Sequence, residues 1–301
     1  MKWTTKDMPD QSGRQAIVTG ANTGIGFETA KALAASGAEV TLACRSERKG
    51  QDAVARILEE HPTAKVSLGS LDLSDLSSVR TFAVEYRVDH QHLDLLINNA
   101  GVMIPPESKT KQGFELQFGV NHLAHFALTG LLLDLLRATP GARVVTVSSA
   151  AHRMGKLDFD DFNFFERGYK PWEAYGQSKL ANLLFAFQLQ RRFETERVGS
   201  ISVAAHPGWT GTDLQRNAWY IRALNLFFAM SPAQGALPTL RAATAPEVKG
   251  GEYYGPHGFR EMRGYPVKVG TSDDARNEED AARLWQVSEE MTAVSYARPA
   301  A

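Results

Sequence analysis

The chain has 301 residues, 43% of them hydrophobic and 22% charged, enough for a large α/β core in one domain or two small ones. Lysine plus arginine (33) nearly balance aspartate plus glutamate (34), which excludes a global field toward nucleic acid or an anionic membrane and leaves a local small-molecule site. The single cysteine, Cys44, rules out an internal disulfide and a cysteine-based zinc cluster.

The N-terminus, Met1 to Ser12, is polar and lacks the basic-then-apolar order of a signal peptide, so no export is expected and a cytoplasmic location is. The longest apolar stretches, around Leu131–Leu136 and Leu180–Leu189, are interrupted by Asp134 and by Asn182 and Gln188. They fall short of the roughly 20 residues of a membrane span, so none is expected.

From Gln15 onward, short β-branched runs alternate with longer helical patterns, as in repeated βαβ units. The predicted strands are Gln15–Thr19, Glu39–Cys44, Lys65–Ser70, Leu93–Asn98, Arg143–Ser148 and Ser200–Ala205. Their continuous apolar character predicts a central parallel sheet with helices on both faces. The predicted helices are Gly24–Ser36, Arg48–His61, Leu76–Val88, Gly113–Arg137 and Trp172–Arg197. The expected architecture is a single doubly wound Rossmann-type α/β domain over residues 1–301. Residues 15–212 form its cofactor-binding and catalytic core, and 213–301 a substrate lid and C-terminal segment. After Pro207 the regularity falls away, and Trp209 to Pro232 gathers Trp219, Tyr220, Ile221, Leu224, Leu226, Phe227, Phe228 and Met230. That segment reads as a lid or an apolar docking face, with a plain helix as the alternative.

The first strand runs through Thr19-Gly20-Ala21-Asn22-Thr23-Gly24-Ile25-Gly26 directly into a helix. Glycines at this spacing let the backbone approach a pyrophosphate, which the helix N-terminus attracts through unpaired N–H groups and its dipole. Gly20, Asn22, Thr23, Gly24, Ile25 and Gly26 are therefore candidate dinucleotide ligands. The second strand ends in Cys44-Arg45-Ser46, where many dinucleotide folds place an acid that would repel a 2′-phosphate. Arg45 offers a planar fork and Ser46 a hydroxyl, so NADP(H) is preferred and NAD(H) is the second candidate. An ordinary solvated arginine is the other reading of Arg45, and Cys44 reads as a small packed side chain. Asp72-Leu73 and Asn99-Ala100-Gly101 follow the third and fourth strands at the edge where such sheets bind ligands, with Asp72 a candidate acceptor for the adenine amino group.

Tyr175 and Lys179 are four residues apart on a predicted helix, so their side chains share one face. A phenol of pKa ~10 is a poor base at neutral pH, and a neighbouring ammonium favours the phenolate. Tyr175 then serves as general acid in reduction and general base in oxidation. The fifth strand delivers Ser148-Ser149 to the same edge.

With Thr19–Gly26, Asn98–Gly101 and Tyr175-Gly176-Gln177-Ser178-Lys179 together, the sequence resembles the short-chain dehydrogenase/reductase family over roughly Gln15 to Thr212. Leu42-Ala-Cys-Arg, Asn121-His-Leu-Ala-His-Phe, Val147-Ser-Ser-Ala-Ala-His and Ser178-Lys-Leu-Ala-Asn look like its retinol dehydrogenase and WW-domain oxidoreductase branch. The resemblance implies Asn121, Ser149, Tyr175 and Lys179 as the catalytic set. Ser149 would bind the substrate oxygen, Asn121 would hold a water next to Lys179, and Lys179 would also contact the nicotinamide ribose. A simple buried amide is the alternative for Asn121. The resemblance also implies that Pro207, Gly208, Thr210 and Thr212 form a turn over the nicotinamide, and that the two long helices pair across a twofold axis in a homodimer.

The segment Ala150 to Pro171, with Phe159, Phe162, Phe164, Phe165 and Tyr169, is expected to wall the pocket. Histidines 122, 125, 152 and 206 lack ligand-like carboxylate spacing, and no metal is expected. The expected function is interconversion of a carbonyl and an alcohol on a lipophilic small molecule. A catalytically silent NADP-sensing protein and a C=C reductase on the same fold are the alternatives.

Overall fold

The computed structural model describes residues 2–211 and 229–297. Its strands are β1 (Gln15–Thr19), β2 (Glu39–Cys44), β3 (Lys65–Ser70), β4 (Leu95–Asn98), β5 (Arg143–Val147), β6 (Ile201–Ala205), β7 (Tyr253–Pro256) and β8 (Pro266–Lys268). They form one sheet in the order β3-β2-β1-β4-β5-β6-β7-β8. Every neighbouring pair is parallel except β7 with β8. The first six strands match expectation to within two residues. The sheet departs from the all-parallel expectation at β8, which closes the far edge as an antiparallel partner.

The period-2 alternation of a strand sends Ala16 and Val18 to one face and Ile17 to the other. On the first face α1 (Gly24–Ala35) and α2 (Glu47–Glu60) bury Phe27, Leu33 and Ile57. The opposite face carries α3 (Leu76–Asp89) with Val79 and Phe82. Strand β3 is an edge and is half exposed, contrary to the expectation of cover on both faces.

The single helix expected over Gly113–Arg137 is broken into α4 (Leu116–Phe118), a π turn (Gly119–Leu123), α5 (Ala124–Leu131) and α6 (Leu133–Ala138). It starts late because Glu115 caps it, its carboxylate accepting from Gln117 N at 2.8 Å and Phe118 N at 2.6 Å. It breaks again at Leu132, whose φ −100 and ψ 6 leave the helical region. The next helix, α7 (Pro171–Thr195), begins on a proline, whose fixed φ suits the first helical position.

Two helices lie beyond the predicted ones. The first, α8 (Pro232–Thr244), returns to the α1 face and buries Leu240. The second, α9 (Glu278–Thr292), packs on α7 and α5. Trp285 stacks on Phe185 at 5.8 Å and meets Phe126 edge-on at 5.1 Å, while Ser288 Oγ lies 2.9 Å from His122 Nε2. The apolar surface on which a homodimer was expected is thus used inside one chain. Leu132, Leu184, Phe185 and Phe187 are buried, and Leu131 and Leu135 pack partly buried against the core. Trp219, Leu226 and Phe227, central to the expected lid, lie outside the described residues. Among the described residues no helix is long and apolar enough to cross a membrane.

Candidate active site

Strand β5 and helix α7 meet where β5 ends. Ser148 Oγ donates to the carbonyl of Lys179 at 2.7 Å, and Val147 O accepts from Lys179 Nζ at 3.2 Å and from Asn182 Nδ2 at 3.1 Å. Lys179 Nζ sits 5.7 Å from the centre of the Tyr175 ring. Ser149 continues in extended backbone and caps a short 3₁₀ turn (Ala150–Met154), its Oγ accepting from Ala151 N at 3.2 Å. The Ser149 hydroxyl is close enough to the Tyr175 phenol to pull its pKa down. This turn lies directly on α7 because both contact points are glycine. A Cβ on Gly176 would stand 3.1 Å from Gly155 N. Ser149, Tyr175 and Lys179 are thereby brought together, as the sequence implied.

Tyr175 and Lys179 are buried, whereas Ser149 is partly exposed. Burial pushes the Tyr175 phenol up to about 12, against the opposing pull of Ser149. Burial likewise brings the Lys179 ammonium down to about 8. Burial is the larger influence on the phenol in the protein alone.

Asn121 lies in the π turn rather than a plain helix, a local defect that often marks a functional position. Its Oδ1 accepts from Val102 N at 2.7 Å, and its Nδ2 donates to Val102 O at 3.0 Å and to Ser178 Oγ at 2.9 Å. The Asn121 carbonyl faces His125 Nδ1 at 3.0 Å, which places the imidazole proton there, so that Thr19 Oγ1 donates to Nε2 at 2.9 Å. Thr19 Oγ1 in turn accepts from Asn99 N and Ala100 N, both at 2.9 Å. A buried polar chain thus joins the end of β1 to Asn121.

The glycine-rich turn is tight. Gly20 and Gly24 have φ of +67 and +58, and a Cβ on Gly26 would stand 2.5 Å from both Gly20 O and Asn99 Nδ2. Asn99 Nδ2 donates to Thr19 O at 2.8 Å, so Asn99 fixes backbone. The buried Cys44 thiol is pushed up to about 11 by burial, with the backbone of Ala21 and Asn22 pulling the other way. Gly101 is less confined: a Cβ there would stand 3.1 Å from Asn121 Oδ1 and 3.6 Å from Lys179 Nζ.

Around the rim, Arg45 is exposed and Ser46 caps α2, its Oγ 3.5 Å from Lys49 N. Asp72 Oδ1 is occupied by Ser74 N at 2.9 Å and Ser74 Oγ at 2.7 Å, and Leu73 is buried beside it. After β6, Gly208 turns at φ +67, Trp209 N donates to Met262 O at 2.7 Å, and Thr210 Oγ1 donates back to Pro207 O at 2.9 Å. Thr212 lies outside the described residues.

The short chain dehydrogenase family matches residues 14–220. The chain belongs to that family. This short-chain dehydrogenase is similar to mouse (Mus musculus) retinol dehydrogenase 12, 43% identical over 289 residues, which cover 94% of this chain and 88% of that protein. Among solved structures it is similar to an uncharacterized protein from Mycobacterium Paratuberculosis, with a TM-score of 0.85, 41% identity, and 99% and 100% of the two chains covered. A short chain dehydrogenase from Escherichia coli CFT073, complexed with NADPH, aligns at 26% identity and a TM-score of 0.66 over 81% of this chain and 98% of its own. The protein is an NAD(P)-dependent oxidoreductase of the retinol dehydrogenase-like branch, acting between CH–OH and C=O.

Three features of this short-chain dehydrogenase escaped the sequence reading. Apolar contact to Tyr175 comes from Met103, Ile104 and Ala151, with Trp209 packed against them. The aromatics expected there are mostly elsewhere: Phe162 stacks on Phe118 at 4.7 Å in the α7–α9 core, and Phe165 is exposed beside Lys109. The reason is register, since the 157–169 stretch is sewn to the outer side of α4 and α7 by Gln177 Nε2 to Phe162 O at 3.0 Å. Second, Gln117 reaches Ile104 N, Tyr169 Oη and Pro171 O. Third, His206 Nδ1 accepts from Gly208 N at 3.3 Å while its Nε2 stands 3.0 Å from Glu261, and Arg153 reaches the same carboxylate at 3.3 Å. The nearness of His206 holds the Glu261 carboxyl below its ordinary range.

Proposed function

We propose that this protein is an NADP(H)-dependent reductase and dehydrogenase of lipophilic carbonyls and alcohols, with Tyr175 as general acid and base. The observation that carries the reading is the contact of Ser149 and Tyr175, with Lys179 one helical turn away and an apolar wall of Met103, Ile104 and Ala151. Ser149 orients the substrate oxygen toward the phenol. Because burial keeps the phenol protonated at neutral pH, Tyr175 is in the correct state to donate its proton to the oxygen of a carbonyl undergoing reduction. In the reverse direction the phenolate accepts the alcohol proton, and the Lys179 ammonium stabilises it.

The residues present fit a dinucleotide. The turn from Gly20 to Gly26 is filled to the point that no side chain fits at Gly26, which leaves bare backbone at the N-terminus of α1 for a pyrophosphate. Lys179 has three donors and, among the described residues, one hydrogen-bond acceptor, Val147 O, so it has donors to spare for a ribose. Arg45, exposed and without a side-chain partner among the described residues, and Ser46 would hold the 2′-phosphate of NADP. When bound, the nicotinamide supplies or accepts the hydride. The apolar wall, together with the retinol named in the mouse relative, supports a lipophilic substrate.

The test is NADPH consumption by the purified protein against a panel of aliphatic and aromatic aldehydes and ketones, with product identified by mass and NMR. Conversion of a lipophilic carbonyl to its alcohol is expected. Reduction of a C=C bond, or tight NADPH binding with no turnover of any carbonyl, would overturn the reading.

A further inference from the structure

The strand-to-helix connection after β4 passes beside Tyr175, and its backbone is tied at Ala100, Val102, Ile104 and Pro105. Ala100 N is held by Thr19, Val102 is bracketed by both ends of the Asn121 amide, and Ile104 N donates to Gln117 Oε1 at 2.8 Å. Gln117 is fully buried and spends its other end on Pro171 O at 2.9 Å and Tyr169 Oη at 3.0 Å. Tyr169 Oη then donates to Pro105 O at 3.0 Å. One amide therefore fixes the 102–105 connection, the 157–169 segment and the first residue of the helix that carries Tyr175.

Ile104 itself has φ +41. A β-branched residue at positive φ is a genuine outlier, and the proline that follows narrows its choices further. Such a conformation persists only where surrounding structure over-determines it, and it then holds a side chain where relaxed backbone would not. Here the side chain it holds is buried among Met103, Ala151 and Tyr175.

We infer that Ile104, held in its left-handed turn by Gln117, is the specificity-determining residue that limits the bulk a substrate carries next to its reacting carbon. This rests on the reading of Tyr175 as the proton donor, because only then is the group beside the phenol a neighbour of the reacting carbon. Gln117 is a positioning residue that acts through Ile104.

The experiment has two arms. The first compares heptanal with cyclohexanecarbaldehyde, which have equal carbon counts and differ in branching at the α-carbon. The ratio of their kcat/KM values with NADPH is expected to shift at least tenfold toward the branched aldehyde in Ile104→Ala. A shift of at least threefold in the same direction is expected in Gln117→Leu. A ratio for two substrates of one preparation is insensitive to the folded fraction, so a merely structural defect leaves it in place. A ratio unchanged within twofold in both variants would overturn the inference. The second arm needs no turnover: Ile104→Gly should melt above Ile104→Ala, because glycine accepts positive φ without cost, whereas at a relaxed position alanine is the more stable of the two. The opposite order would remove the strained turn on which the inference stands. Were the unaltered protein to turn over neither aldehyde nor the matching alcohols, the lipophilic-carbonyl reading would lose its support separately, and the melting order would judge the strained turn.

Discussion

Ser148 Oγ donates to the backbone carbonyl of Lys179, joining the last turn of chain after β5 to the helix that carries the candidate proton donor. Both groups are buried. Ser148→Ala removes one buried hydrogen bond, and about 1 kcal/mol of stability should go with it. Urea unfolding would show the loss as a lower midpoint at unchanged slope, and kcat should fall because Ser149 and Tyr175 are no longer held in register. Full activity in a destabilised variant would show that the other strand-to-helix bonds, Lys179 and Asn182 to Val147, suffice.

Tyr175→Phe should lower kcat by at least about 10²-fold, the lower end of what a positioned proton donor contributes. NADPH affinity, measured by fluorescence titration, should stay within a few-fold. Lys179→Ala should lose affinity as well as turnover, since its spare donors are assigned to the ribose. Normal kcat in Tyr175→Phe would remove the mechanism.

Arg45→Asp should reverse most of the cofactor preference. The unaltered protein is expected to bind NADPH at least about tenfold more tightly than NADH, roughly 1.4 kcal/mol. The substitution removes a charge-assisted donor and adds a repulsive carboxylate beside the 2′-phosphate. Equal affinities for the two cofactors before mutation would refute the assignment.

Acid should destabilise the fold through its buried histidines. Burial holds His122 at about 3, and His125 and His152 at about 4. Groups depressed below their unfolded value of ~6.5 contribute stability that is complete above that pH and lost as pH falls toward the folded values. Glu115, raised to about 7 by burial, acts in the opposite sense, since its contribution is present at low pH and lost as pH rises from its unfolded value toward 7. Three histidines against one carboxylate leave the unfolded state binding more protons between about pH 5 and 6.5. Unfolding free energy from urea titrations should therefore fall from pH 6.5 to pH 5. A flat profile would show that two of these histidines are charged in the native state.

Trp285→Ala should cost about 3–5 kcal/mol, the range for removing a large aromatic from a packed core. If α9 serves only to cover α5 and α7, light scattering of the unaltered protein should give the mass of one chain. A dimer would show that association uses another surface.

Most of the first six strands were legible because they are compact apolar runs between turn residues, β3 (Lys-Val-Ser-Leu-Gly-Ser) by its alternation instead, and the site residues because they close those strands or share one helical face. Helix α9 is equally readable: Asn277 caps it by accepting from Glu279 N and Asp280 N, acids fill its first turn, and Ala281, Leu284, Trp285 and Ser288 recur at helical spacing. What no pattern announces is strain. The positive φ of Ile104 arises from partners 13 and more residues away, and Glu261, also at positive φ, is held by a histidine and an arginine far off in the chain. The break in the expected long helix was hidden likewise, because Leu116 to Ala138 is good helix sequence and the interruption at Asn121 is set by tertiary bonds to Val102 and Ser178.

The covering of α5 and α7 by α9 also bears on how the chain is born. A ribosome delivers Phe126 and Phe185 long before Trp285, and the contact of His122 with Ser288 spans 166 residues. Until the closing helix emerges, the growing polypeptide carries an apolar face with nothing to seat on it, the situation in which nascent chains aggregate or engage chaperones. Completion of the catalytic helix's surroundings is therefore a late event of synthesis, and a ribosome stalled before residue 278 would display a chain with its sheet assembled and that face bare.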